Sequence, residues 1–150
     1  MELNQREKII NLIVTLIQYI GFAVFLYWSP WKAKGIFWQG VELLGIALAV
    51  WAIAVMQQGK INIAPQPRSQ AILIQAGPYA LIRHPMYTSI IIAITPLIIS
   101  YWDPYRFAFL LFLYINLIVK LLFEESLLLK FFPEYKNYMK KTWRIIPYLF

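Results

Sequence analysis

The chain has 150 residues, of which 61% are hydrophobic, 17% aromatic and only 14% charged, with a formal net charge of +7. Such a composition is far too apolar for a soluble domain of this size and places the protein in a membrane. The absence of cysteine and the single histidine exclude disulfides, thiolate metal sites, cysteine nucleophiles and a multi-histidine metal centre.

In chain order, the first apolar stretch runs from Ile9 to Trp28. The residues after it, Ser29-Pro30-Trp31-Lys32, lack the small-residue pattern of a cleaved signal, so it is expected to remain as a span. The second stretch, Phe37 to Met56, carries Glu42 near its outer end, where snorkelling or a polar partner is expected. A polar connection from Gln57 to Gly77, with Gly59, Pro65 and Pro67, contains the apolar patch Ala71-Ile72-Leu73-Ile74, a short strand or a loop lying on the membrane surface. The third stretch, Met86 to Trp102, is short and has Pro96 in mid-span, which frees the carbonyl of Ile92 and predicts a kink. The fourth is Tyr105 to Phe123. Each is near the roughly 20 residues that a helix needs to cross the hydrocarbon core. Beyond Glu125, Leu127 to Lys141 mixes Leu, Phe and Tyr with Lys130, Lys136, Lys140 and Lys141, the pattern of an interfacial helix interrupted at Pro133. The expectation is an all-α membrane protein of about four transmembrane helices, with one domain over residues 1–150 and a C-terminal interfacial helix.

Four spans put the N-terminus, the Gln57 to Arg83 connection and the C-terminal tail on one side. That side carries Arg6, Lys8, Lys60, Arg68, Arg83, Lys130, Lys136, Lys140, Lys141 and Arg144, against Lys32, Lys34 and Arg106 opposite. The positive-inside rule makes it cytosolic, with both termini in the cytosol. Because the basic residues are spread between apolar spans, membrane lipid headgroups suit them better than nucleic acid.

Between the second and third spans lies Gly77-Pro78-Tyr79-Ala80-Leu81-Ile82-Arg83-His84-Pro85-Met86-Tyr87, which holds the only histidine. Gly77-Pro78 favours a turn, and Pro85 suits the first residue of a helix, where its missing N–H would be unpaired anyway. His84 then falls at the N-cap, and the helix start with its partial positive charge suits an anion such as a carboxylate. The bland alternative is that His84 only caps the helix while Tyr79 and Tyr87 join an aromatic belt. On the fourth span, Asn116, Lys120 and Glu124 recur every four residues and make one polar stripe. Lys on the N-terminal side of Glu is the weaker order for an intrahelical pair, so local stabilisation explains the stripe poorly. A membrane-edge ion pair with Lys120 snorkelling is the competing reading. These groups would fit a zwitterionic cofactor with a cationic centre, as in S-adenosylmethionine. No G-x-G-x-x-G element exists for a soluble dinucleotide-type fold.

From Ile61 to Pro147 the sequence resembles the isoprenylcysteine carboxyl methyltransferase family of integral membrane enzymes. The resemblance is carried by Ala71-Ile72-Leu73-Ile74, Gly77-Pro78-Tyr79, Arg83-His84-Pro85-Met86-Tyr87, Glu124-Glu125, and the tail from Phe131-Phe132-Pro133-Glu134-Tyr135 to Ile146-Pro147. It implies a cytosolic S-adenosylmethionine pocket lined by Ala71, Ile72, Leu73, Ile74, Tyr79, His84, Pro85, Met86, Tyr87 and Glu124. It further implies that Lys120 faces a lipidic or prenylated methyl acceptor. Eukaryotic members have arginine in that place, and a lysine gives a point charge in place of a bidentate fork. Pro133 stands where the family often has glycine. A carboxylate acceptor needs no general base, whereas an amine must lose a proton, for which His84 is the candidate base. Three other readings stand beside this one: a phospholipid N-methyltransferase, an NADPH-dependent membrane reductase suggested by Arg144-Ile145-Ile146-Pro147-Tyr148, and a non-enzymatic scaffold that uses the polar stripe for helix packing.

Overall fold

A computed structural model describes residues 4–58 and 73–150. Four long helices, α1 (Gln5–Trp28), α2 (Ile36–Gln58), α3 (Pro85–Ser100) and α4 (Pro104–Phe131), are followed by a short α5 (Tyr135–Met139), and a 3-10 turn at Gly77–Ala80 leads into α3. Among the described residues no strand forms, and the protein is an all-α integral membrane protein. Helices α1, α2 and α4 are long and apolar enough to cross a membrane, while α3 is apolar but shorter. Outward-facing Leu12, Ile13, Leu16, Leu43, Leu44 and Val50 are exposed, which suits lipid rather than water.

Local chemistry fixes the helix starts. Asn4 Oδ1 accepts from Glu7 N at 2.8 Å while Asn4 N donates to Glu7 Oε2 at 3.1 Å, closing a capping box at α1. Asp103 Oδ1 accepts from Arg106 N at 2.9 Å, with Pro104 opening α4. Glu42 finds its polar partner in the α1–α2 loop: both carboxylate oxygens accept from Ala33 N at 3.1 Å. The connection is therefore fastened to α2 rather than left to snorkel.

Helix α2 packs chiefly against α3, and α1 against α4. A Cβ on Gly45 would come within 2.6 Å of Ala93 N, so the absence of a side chain is what lets the α2 and α3 backbones meet. Gly21 of α1 instead leaves room for the side chain of Leu113 of α4. Two buried clusters fill the bundle: Phe25, Ile94, Leu97, Ile98, Leu110 and Leu113 at one end, and Tyr87, Leu117, Leu121 and Ile145 at the other. Helix α3 runs on through Pro96, and Thr95 Oγ1 bonds back to Ile91 O at 2.6 Å and contacts Tyr114 Oη at 3.0 Å.

The expected end of the fourth span is corrected. Helix α4 does not stop near Phe123 but continues as one helix to Phe131. Its 28 residues reach about 42 Å, beyond a hydrocarbon core of about 30 Å, so its last turns carry Glu124, Glu125 and Lys130 toward the polar boundary. The helix continues because its charges find partners. What remains of the expected interfacial helix is α5, five residues long, after the break around Pro133. Lys130 pairs with Glu7 and thereby sets the start of α1 beside the end of α4. At the opposite end Lys34 N donates to Ser100 Oγ at 2.9 Å and Arg106 lies over the Trp28 ring.

Candidate active site

The segment before α3 is held by the tail of the chain. Arg83 N donates to Trp143 O at 2.7 Å, His84 N to Arg144 O at 3.0 Å, and Trp143 N to Leu81 O at 3.1 Å, with a parallel bridge between Ile82 and Trp143. Thr88 Oγ1 donates to Ile145 O at 2.9 Å, and Tyr138 Oη to Tyr79 O at 2.6 Å. Residues some 60 positions apart in sequence thus share one backbone framework. Gly77, at φ +58, turns the chain into this framework where a Cβ would strike Val55 Cγ2 at 2.8 Å.

Buried Glu125 sits at the centre of a charge network. Arg83 Nε donates to its Oε1 at 2.7 Å and Arg144 Nε to its Oε2 at 2.9 Å. Arg83 also donates to Met139 O at 3.2 Å and to Thr142 O. A carboxylate buried with two guanidinium groups is electrically compensated, and removal of either partner would strand a charge. His84 occupies the N-cap position of α3, but its side chain makes no capping hydrogen bond, contrary to the bland reading. Its Nε2 instead lies 3.5 Å from Glu125 Oε1, without a hydrogen-bond partner among the described residues. The imidazole is stacked on Tyr87, ring centroids 5.4 Å apart and planes 4° from parallel.

Glu124, one position earlier, points elsewhere. Tyr87 Oη donates to Glu124 Oε2 at 2.7 Å, Lys120 pairs with Glu124 Oε1, and Lys120 Nζ donates to Tyr87 Oη at 3.1 Å. Glu124 and Lys120 are only partly buried, so this triad borders an accessible face of the bundle. Tyr79 comes close enough that burial and the Glu124 charge push its phenol up to about 12. Burial likewise raises Tyr135 and Tyr138, with the Glu125 charge adding to it at Tyr135 and the Arg83 charge opposing it at both. The hydroxyls of Tyr79 and Tyr135 have no partner among the described residues.

The helix start is more occupied than its sequence suggests. Pro85 has no N–H, His84 N is taken by Arg144 O, and Tyr87 N and Thr88 N both turn back to His84 O, which leaves Met86 N as the donor of the first turn. Of the residues singled out from the sequence, Tyr79, His84, Pro85, Met86, Tyr87, Lys120 and Glu124 gather at this end of the molecule. Leu73 and Ile74 are partly buried in a segment with neither helix nor strand just before the 3-10 turn, and Ala71 and Ile72 lie outside the described residues. Sequence reasoning missed Arg83, Glu125, Arg144, Tyr135 and Tyr138 as members of the site. The available signal was charge: a glutamate pair within an apolar helix implies more than one cation.

Residues 37–135 match the phospholipid methyltransferase family. The chain belongs to that family. None of the curated proteins compared matches it. Among solved structures, the eukaryotic intramembrane Ras methyltransferase, isoprenylcysteine carboxyl methyltransferase, is similar with a TM-score of 0.54 and 22% identity, over 98% of this chain and 55% of that one. This phospholipid methyltransferase family member therefore shares the fold of the isoprenylcysteine carboxyl methyltransferase while spanning about half of its length. The resemblance read from the sequence is borne out in family and in fold.

Proposed function

We propose that the protein transfers a methyl group from S-adenosylmethionine to a lipidic or prenylated acceptor that enters sideways from the bilayer, at the cytosolic face. The observation that carries this reading is the triad of Glu124, Tyr87 and Lys120 beside the unpartnered Tyr79 hydroxyl and the stacked His84 and Tyr87 rings. The donor set fits the cofactor: Glu124 for its ammonium, Met86 N for its carboxylate, and the Tyr79, His84 and Tyr87 rings for stacking and cation-π contact. Leu73 and Ile74 would complete the apolar wall. When bound, S-adenosylmethionine supplies an electrophilic methyl, which an acceptor lone pair takes as the bonding electrons remain on sulfur.

The protein's own work is positioning. Tyr87, donating to Glu124 and receiving from Lys120, fixes both side chains relative to one another. In the arrangement described, Lys120 neutralises Glu124; with Glu124 holding a cofactor ammonium, Lys120 would be released to meet an anionic group of the acceptor. His84 Nε2 is directed at Glu125, and removal of an acceptor proton by His84 would require its ring to turn. Membership of the phospholipid methyltransferase family favours methyl transfer over the reductase and scaffold readings. The basic residues gathered at this end of the bundle support the cytosolic orientation of this reading, by the positive-inside rule.

The reading is tested by calorimetric titration of the purified protein with S-adenosylmethionine, followed by incubation of the labelled cofactor with extracted membrane lipids. Binding by the wild type, weakened at least about tenfold in His84→Ala and Glu124→Gln, is the expected result. Equal affinity in wild type and both variants would reject the site, and no binding at all would reject the activity.

A further inference from the structure

The end of the bundle remote from Glu124 holds two orphaned polar groups that the proposed reaction does not use. Ser29 is only 6% exposed, and its Oγ has no hydrogen-bond partner among the described residues. Arg106 Nε is likewise closed off from water and without a partner among them, in a residue that is otherwise only partly buried. The Arg106 guanidinium lies over the Trp28 ring, its Cζ 5.7 Å from the ring centroid, and it joins none of the ion pairs among the described residues.

Both groups end the same seam. Leu113 fills the space beside Gly21, and Phe25 clusters with Leu110 and Leu113, so these residues mark the line on which α1 and α4 meet. The two helices run antiparallel, since Glu7 at the start of α1 pairs with Lys130 at the end of α4. Ser29 stands about two turns beyond Gly21, and Arg106 about two turns before Leu113, which brings them to one level on the facing lines. Trp28, Trp31, Trp102 and Tyr105 are exposed at this end. Such rings mark the depth of the lipid headgroups.

The chain's own acids do not answer Arg106. Asp103 caps α4, its Oδ1 taken by the backbone N of Arg106, and Glu42 holds Ala33 N with both carboxylate oxygens. A direct bond from Arg106 Nε to Ser29 Oγ would satisfy one nitrogen and leave the guanidinium charge unanswered. An anion that only accepts hydrogen bonds satisfies both groups: Nε and a terminal nitrogen make a side-on fork for two oxygens, and the Ser29 hydroxyl donates to one of them. At headgroup depth the anion of that shape is a phosphodiester. Lys34, its Nζ 4.4 Å from the centre of the Tyr101 ring, adds positive charge at the same end and favours a head without an ammonium.

We propose that Arg106 and Ser29, beside the Trp28 ring, hold the phosphodiester of an anionic phospholipid in the leaflet opposite the proposed active site. This lipid bridges α1 to α4 and takes no part in methyl transfer. Trp28 and Ser29 stand outside residues 37–135, the region shared with the family, so the site belongs to what α1 adds to this chain.

The test is native mass spectrometry of the full chain in detergent with added phosphatidylglycerol, and separately with inorganic phosphate. The wild type should retain the lipid, and Arg106→Gln should lower its retention about tenfold, as expected for hydrogen bonds between charged groups. Arg106→Lys, which keeps the charge and loses the fork, should lower it nearly as much. Ser29→Ala, almost the same shape and the least risk to folding, should lower it at least about threefold. Exposed Lys32 at the same end is the control, and Lys32→Gln should leave retention unchanged. Affinity for S-adenosylmethionine should be the same in every variant. No retention by the wild type, or equal retention by the folded Arg106 and Ser29 variants, would overturn the inference. So would an equal fall in Lys32→Gln, which would make the attraction a general one for charge. Binding of inorganic phosphate as strong as that of the lipid would overturn the assignment to a lipid.

Discussion

Glu124 and Glu125 are neighbours on α4, yet Glu124 is bound by Tyr87 and Lys120 while Glu125 is bound by Arg83 and Arg144. Successive helical residues point about 100° apart, so one dipeptide serves two environments: a partly open triad and a buried clamp on the tail. The two carboxylates should respond differently to the same substitution.

Glu125→Ala should lower stability by about 3–5 kcal/mol, because it leaves the Arg83 guanidinium buried without its counter-charge. Thermal unfolding in detergent measures this. Glu124→Gln should change the unfolding temperature little while weakening S-adenosylmethionine binding, and equal destabilisation by the two would contradict the division.

Lys120→Met should reduce the catalytic efficiency for the acceptor at least about tenfold without raising the dissociation constant for S-adenosylmethionine. The reason is competition: Lys120 is paired with Glu124, and its removal frees that carboxylate. Calorimetry beside acceptor kinetics separates the two effects. A weaker cofactor affinity in this variant would show that Lys120 helps to hold the cofactor.

The helical spans were readable from composition because lipid demands about 20 apolar residues in a row. The end of α4 was not, since a charged pair ordinarily marks a boundary and only tertiary partners reveal that the helix runs on to Phe131. His84, Tyr87, Lys120 and Glu124 stood out by rarity and spacing. Arg83 and Arg144 stood in the sequence as cytosolic charge and as members of two motifs, but their shared partner was not legible, because it is set by the tail crossing the start of α3, a pairing with no local signature.

Gly45→Ala should destabilise by about 1–3 kcal/mol, since the new methyl meets the Ala93 backbone, which cannot move aside as a side chain would. Thermal unfolding checks it. Gly40, with nothing within 4 Å of an added Cβ, is the control and should tolerate alanine at little cost.

Alkaline unfolding should begin above pH 10. Burial pushes Tyr79 up to about 12 and raises Tyr135 and Tyr138. These phenols keep their protons in the folded chain when the unfolded chain has lost them, so stability is full below pH 10 and falls as pH rises beyond it. Unfolding temperatures at pH 9, 10 and 11 measure the trend, and Tyr79→Phe should reduce its slope.

The bonds from Arg83 and His84 to Trp143 and Arg144 also set a timetable for biosynthesis. The His84 segment is synthesised about 60 residues before the strand-like partner that holds it, so Arg83 lacks the tail carbonyls for that whole interval and lacks Glu125 for the first 42 residues of it. A nascent chain arrested before Trp143 would have its long helices made and the Arg83–His84 segment unfastened, and that framework would close only once Trp143 and Arg144 pair with it.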